Sequence, residues 1–229
     1  DLDDAIDGVG DFSGVNFGYD NSDPTNPTWT SLYYFGNDAD SDGSMKTGST
    51  TINLDGDSYN FLFSKSGGAE GKGRGVTGTD DMKYVYKMGL KMKADSDDKY
   101  TVIYATGDIG DNTAQVEKID TAKMRGLAQI ATNKNKDDDT VKYFGNMPSN
   151  YYLISTSGSI TKSKTAAKDG NDWFYYVKNK QIMMYTNNKT LTPKTANAPL
   201  LAGSVKLVDW DKTNVTIPAT FTGLNDIIK

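Results

Sequence analysis

Neither cysteine nor histidine occurs anywhere in the 229 residues. The first absence excludes disulfides, a thiolate nucleophile and zinc–thiolate sites. The second removes the commonest general base, the usual activator of a serine nucleophile and the commonest transition-metal ligand, so any catalysis would rest on carboxylates or lysine. Arginine is nearly missing too, with Arg74 and Arg125 alone in the chain. Thirty acidic against 25 basic residues give a net charge of −5, the lysines are scattered, and nucleic acid is not an expected partner. No apolar run approaches the roughly 20 residues that span a bilayer, so no membrane insertion is expected. Asp1 opens the chain without a signal-peptide pattern, and we read the chain as a soluble, mature or excised piece of a longer parent polypeptide.

Aromatic residues are what the chain has in quantity: 14 Tyr, 8 Phe and 3 Trp. Such side chains bury large areas and let short strands adhere. Residues 1–31 are rich in Asp, Gly, Asn and Pro and read as a lead-in segment or linker. From 32 to 106, aromatic or β-branched runs alternate with Gly and Asp turns: Tyr33-Tyr34-Phe35, Tyr59 to Phe63, Tyr84-Val85-Tyr86 and Tyr100 to Tyr104. That alternation predicts successive hairpins. Between 107 and 140 the aromatics vanish, and Met124, Leu127, Ala128 and Ala131 recur at helical spacing behind a capping Asp120. An insert with one short helix near 120–131 is predicted there. From 141 to 229 the aromatic runs return at Tyr143-Phe144, Tyr151-Tyr152-Leu153 and Trp173 to Tyr176, with further strands predicted at Ser204 to Trp210 and Asn214 to Phe221.

Self-similarity sharpens this picture, because each aromatic run is followed by a turn and a second strand, usually led by glycine. The second-strand slots are Gly43 to Gly48, Gly73 to Gly78, Gly89 to Ala94 and Gly158 to Ser163, with Lys180 to Tyr185 as a glycine-free fifth. Tyr34-Phe35, Asp42 to Gly48, Ile52, Asp55-Gly56 and Tyr59 together resemble one unit of the bacterial cell-wall-binding, choline-binding and glucan-binding repeats, a pattern shared by clostridial toxin repeats. The resemblance is best over residues 33–63 and covers about half the chain. It implies a mainly β fold of stacked β-hairpin repeats, solenoid-like, interrupted by the helical insertion. It further implies a non-catalytic carbohydrate- or cell-wall-binding module, extracellular or at the cell surface, with a cell-wall polymer or other glycan as partner. Trp29, Trp173 and Trp210 follow Thr, Asp and Asp rather than the glycine of a choline cage. The alternative is a structural spacer or protein-interaction domain that has kept the packing without ligand pockets.

Two aromatic clusters are the expected ligand-binding surfaces: Tyr33, Tyr34 and Tyr59 in the best-matching unit, and Trp173, Tyr175 and Tyr176 in the densest run. A flat ring stacks on an apolar sugar face while its hydroxyl bonds at the rim. Asp38, Asp40 and Asp42, followed by Gly43, reproduce the first half of a calcium loop, but Ser49 stands where a bidentate Glu belongs. A hairpin turn accounts for them, and no metal or other cofactor is expected. Gly67 to Gly73 reads as a hairpin tip, since it lacks the Gly-Lys-Ser/Thr ending of a phosphate loop. Glu70 and Glu117, the only glutamates, could in principle serve as a glycosidase acid pair, but nothing in the sequence brings them together.

Overall fold

The structure, a computed structural model, describes residues 19–20, 28–29, 32–35, 44–54, 57–67, 71–135 and 140–195. The Asp38, Asp40 and Asp42 half-loop, most of the lead-in segment, Glu70 and the two C-terminal strand predictions lie outside those residues. The described chain is mainly β, with antiparallel strand pairs and one helix, and none of its sheets closes into a barrel. It divides into two compact units: one formed by residues up to Met92 together with Ala105–Glu117, the other by Lys93–Tyr104 together with residues from Lys118 onward.

In the first unit, β1 (Tyr19–Asp20) pairs with β2 (Thr28–Trp29). A five-stranded sheet follows, built from β3 (Gly48–Leu54), β4 (Asp57–Phe63), β5 (Gly78–Asp80), β6 (Tyr84–Lys87) and β7 (Leu90–Lys91) in the order β3-β4-β7-β6-β5. Strand periodicity puts Phe61 and Phe63 on the same face of β4, where their rings stack at 5.8 Å and 5°. Leu32, Ile52, Met88 and Leu90 complete that core. The run Tyr33-Tyr34-Phe35, expected as a strand, is irregular backbone. The Lys46 amide donates to the Tyr34 carbonyl at 2.8 Å.

The glycines of the repeat have a physical reason here. A side chain on Gly75 would strike the Met88 carbonyl, and one on Gly89 would meet the Gly75 Cα at 3.0 Å. Two glycine-led slots therefore meet backbone to backbone, which only glycine permits. The Gly89 amide donates to the Val76 carbonyl at 2.7 Å across this contact.

Two further sheets and the helix α1 (Thr121–Asn135) complete the described fold. Strands β8 (Tyr100–Thr106), β9 (Gln115–Ile119) and β11 (Tyr151–Ser155) form a sheet in the order β11-β8-β9. Strands β10 (Tyr143–Gly145), β12 (Lys164–Lys168), β13 (Phe174–Lys178) and β14 (Gln181–Thr186) form another, in the order β10-β14-β13-β12. The predicted cap operates: the Asp120 carboxylate accepts the Ala122 amide at 2.6 Å, and the Asp120 carbonyl accepts the Met124 amide at 3.1 Å. Met124, Leu127 and Ala128 are fully buried, packed with Val102, Leu153, Tyr175 and Tyr185.

Aromatic runs and their second-strand partners do meet locally: β6 turns into β7, β13 into β14, and Ile154 bridges to Ile160. Successive pairing also joins β3 to β4, β5 to β6 and β12 to β13, but other pairs are not successive. Strand β10 pairs with β14, and β11 pairs with β8 across the intervening helix. The insert also contains a strand, β9, whose Val116 and Ile119 are buried without any aromatic to announce them.

Candidate functional site

The two predicted aromatic clusters divide between core and surface. Tyr34 and Tyr59 are half-buried and pack on the Phe61–Phe63 core, Tyr34 stacking on Phe63 at 6.4 Å and 14°. Tyr33 is half-buried beside them in sequence. In the second unit, Trp173 is half-buried and stacked on Tyr185 at 4.9 Å. Tyr175 is 0 % exposed and Tyr176 is 6 % exposed. Strand β13 lies inside its sheet with both faces covered: Tyr175 enters the main core, and Tyr176 joins Tyr143 and Met184 on the other side. The Tyr176 hydroxyl donates to the Lys189 carbonyl at 2.8 Å.

An open groove of about 600 Å³ lies instead above a residue that the aromatic clusters left out. Tyr100 begins β8 opposite Ser155, the last residue of β11. The chain reaches it through a tight turn in which the Lys99 amide donates to the Asp95 carbonyl at 3.0 Å and Lys99 adopts a φ of 61°. Such a left-handed conformation is uncommon for a lysine. The half-buried Tyr100 ring packs on the core from its inner side and borders the groove with Ser96, Ser155 and Thr156.

The opposite wall is β12, the edge strand of the other sheet. Its register against β13 slips between Lys164 and Ala167, a bulge in which Ala166 takes a φ of 49°. Bulges re-aim side chains and are common beside functional sites. Here Lys164 is carried over the Tyr100 ring, its Nζ 5.6 Å from the centroid, within cation–π range. Lys99 and Lys168 line the same groove. Lys168 is paired with Asp172 at 2.6 Å, both side chains exposed. That ammonium, through its hydrogen bond first and its charge second, holds the Asp172 carboxyl below its ordinary range.

A second groove of about 520 Å³ is lined by the same Lys164 together with Thr165, Tyr176, Lys178, Pro193 and Lys194. Tyr176 thus contributes to a groove wall, although most of its ring is buried.

Chemically, the first groove offers a ring edge, three hydroxyl side chains and ammonium donors. Among the described residues, no group of His, Cys, Asp or Glu could hold a metal ion. Glu117 pairs with Lys87 at 3.1 Å. The scattered lysines gave no sign of this grouping, since Lys99, Lys164 and Lys194 come from three separate stretches of chain. No helix of the described chain is long and apolar enough to cross a membrane. No family model, curated protein or solved structure matches the chain.

Proposed function

We propose that this chain is a non-catalytic carbohydrate- or cell-wall-binding module of a secreted or surface-attached bacterial protein, and that it binds through the open groove beside Tyr100. The observation that carries this reading is the half-exposed Tyr100 ring bordered by Ser96, Ser155 and Thr156. A ring with hydroxyls at its rim suits a sugar, whose apolar face stacks while its own hydroxyls exchange hydrogen bonds. The reading uses single hairpins and one groove, and does not depend on a solenoid-like stack.

Burial of Tyr175 and Tyr176 favours the second reading, a structural spacer or protein-interaction domain, for that part of the chain. The two separate in a pull-down on insoluble peptidoglycan, teichoic-acid-bearing walls and insoluble polysaccharide. Retention on one of them that is lost in Tyr100→Leu, while circular dichroism stays unchanged, supports the binding module. No retention on any matrix, or retention indifferent to Tyr100, hands the chain to the spacer reading.

A further inference from the structure

The lysines around β12 form a track that continues beyond the first groove. Lys99 and Lys168 line the groove beside Tyr100, Lys178 and Lys194 line the neighbouring one, and Lys164 lines both. Among the described residues no Asp or Glu lines either groove, although the whole chain carries a net charge of −5. A protein of net negative charge that sets five lysines along two grooves sharing one edge-strand lysine is built for local attraction of an anion. A monomeric sugar would need only one of the grooves, whereas the shared lysine sits where a long ligand passes from one to the other.

We infer that an elongated anionic polymer, with phosphodiester or carboxylate groups along its backbone, lies across the bulged edge strand β12 and is held by Lys99, Lys164, Lys168, Lys178 and Lys194. This rests on the glycan-binding reading and narrows it to acidic polymers. The Asp172 carboxylate already occupies Lys168 and acts as an intramolecular competitor for the ligand's anionic group. Asp172 has a φ of 63°, a conformation asparagine adopts as readily as aspartate, so Asp172→Asn removes the competing charge without straining the turn.

The test is affinity electrophoresis of the full chain through gels containing poly(glycerol phosphate), polygalacturonate or the neutral glucan dextran. Retardation is expected with a polyanion, weakening as salt is raised. The phosphodiester and carboxylate polymers distinguish the two sources of charge, and preference for either supports the inference. Lys164→Gln and Lys178→Gln should each weaken retention by about 3- to 5-fold, and Asp172→Asn should strengthen it by about 2- to 5-fold, the scale of one exposed charge contact. Lys72→Gln, an exposed lysine of the first unit, should change nothing. Retardation by dextran equal to that by the polyanions, or lysine variants that run as the unaltered chain does, would overturn the inference while leaving glycan binding in place; Lys164 and Lys168 would then be guards against edge-to-edge strand pairing. Failure to bind any polymer in the gels or on the insoluble matrices removes both readings.

Discussion

Asp169 is 1 % exposed, and a buried carboxylate is costly unless its oxygens are satisfied. One oxygen accepts the amides of Asn171 and Trp173 at 2.8 and 2.9 Å, and the other accepts the Tyr185 hydroxyl at 2.9 Å. That arrangement fixes the turn leading into β13 and ties it to the core. It also keeps the neighbouring phenols protonated. Burial first, then Tyr175 and Asp169, push the Tyr185 hydroxyl far above the ordinary value of 10.0, and burial with Asp169 does the same to Tyr175. A group whose folded pKa is raised holds its proton longer in the fold than in the unfolded chain. Its contribution is therefore complete below the unfolded value of about 10 and is lost as pH rises beyond it. Stability should fall steeply above about pH 10, followed by thermal melts alongside phenolate absorbance. Tyr185→Phe should cost about 1–3 kcal/mol near neutral pH, since Asp169 loses a donor, and should flatten the alkaline decline. An alkaline profile identical to that of the unaltered chain would place the responsible phenols elsewhere.

At the scale of elements, two hairpin turns work against their own residues. Met88-Gly89 and Asn179-Lys180 join their strands through two residues with positive φ, 49° and 92° in one, 50° and 68° in the other. Paired left-handed residues match the right-handed twist of the strands, and Asn-Gly suits them best. Lys180 alone in the second turn is a poor fit, so Lys180→Gly should raise stability by about 1 kcal/mol, read by urea denaturation. Gly75→Ala should do the opposite, losing about 1–3 kcal/mol as the new methyl meets the Met88 carbonyl. The hairpins and the Asp120 cap were legible because local chemistry sets them: aromatic run, turn, second strand, and a carboxylate ahead of helical spacing. Strand β9 was not, because its Val116 and Ile119 stand in a stretch without the aromatic runs that marked β4, β6, β8, β11 and β13. Nor was the burial of Tyr175 and Tyr176, since period two shows that neighbours face opposite ways but not whether both faces are covered. The lysine track lay further out of reach: β12 places Lys164 beside Tyr100 only after two distant hairpins have been brought together.

At the scale of the whole molecule, the chain passes between its two units three times, at residues 92–93, 104–105 and 117–118. Two of these crossings fall inside strands, β8 and β9. The first unit depends on a segment that arrives late. Thr79, 3 % exposed in β5, receives its partners from that segment: its amide donates to the Gly107 carbonyl at 3.0 Å, its carbonyl accepts the Ile109 amide at 2.9 Å, and its hydroxyl donates to the Asp108 carboxylate. Lys87 of β6 finds Glu117 there at 3.1 Å. A fragment ending at Met92 keeps every strand of the five-stranded sheet but loses these bonds of Thr79 and the Lys87–Glu117 pair, and each lost bond to a buried group costs about 1–3 kcal/mol. Marginal stability of about 5–15 kcal/mol cannot absorb several such losses. The fragment 1–92 should therefore lack a cooperative thermal transition, and a peptide of residues 105–117 added in excess should restore one, because ligands that bind only the folded state stabilise it by mass action. A fragment that melts cooperatively without the peptide would mean that the hairpins of β3 to β7 suffice, and that the late segment only decorates a unit already folded.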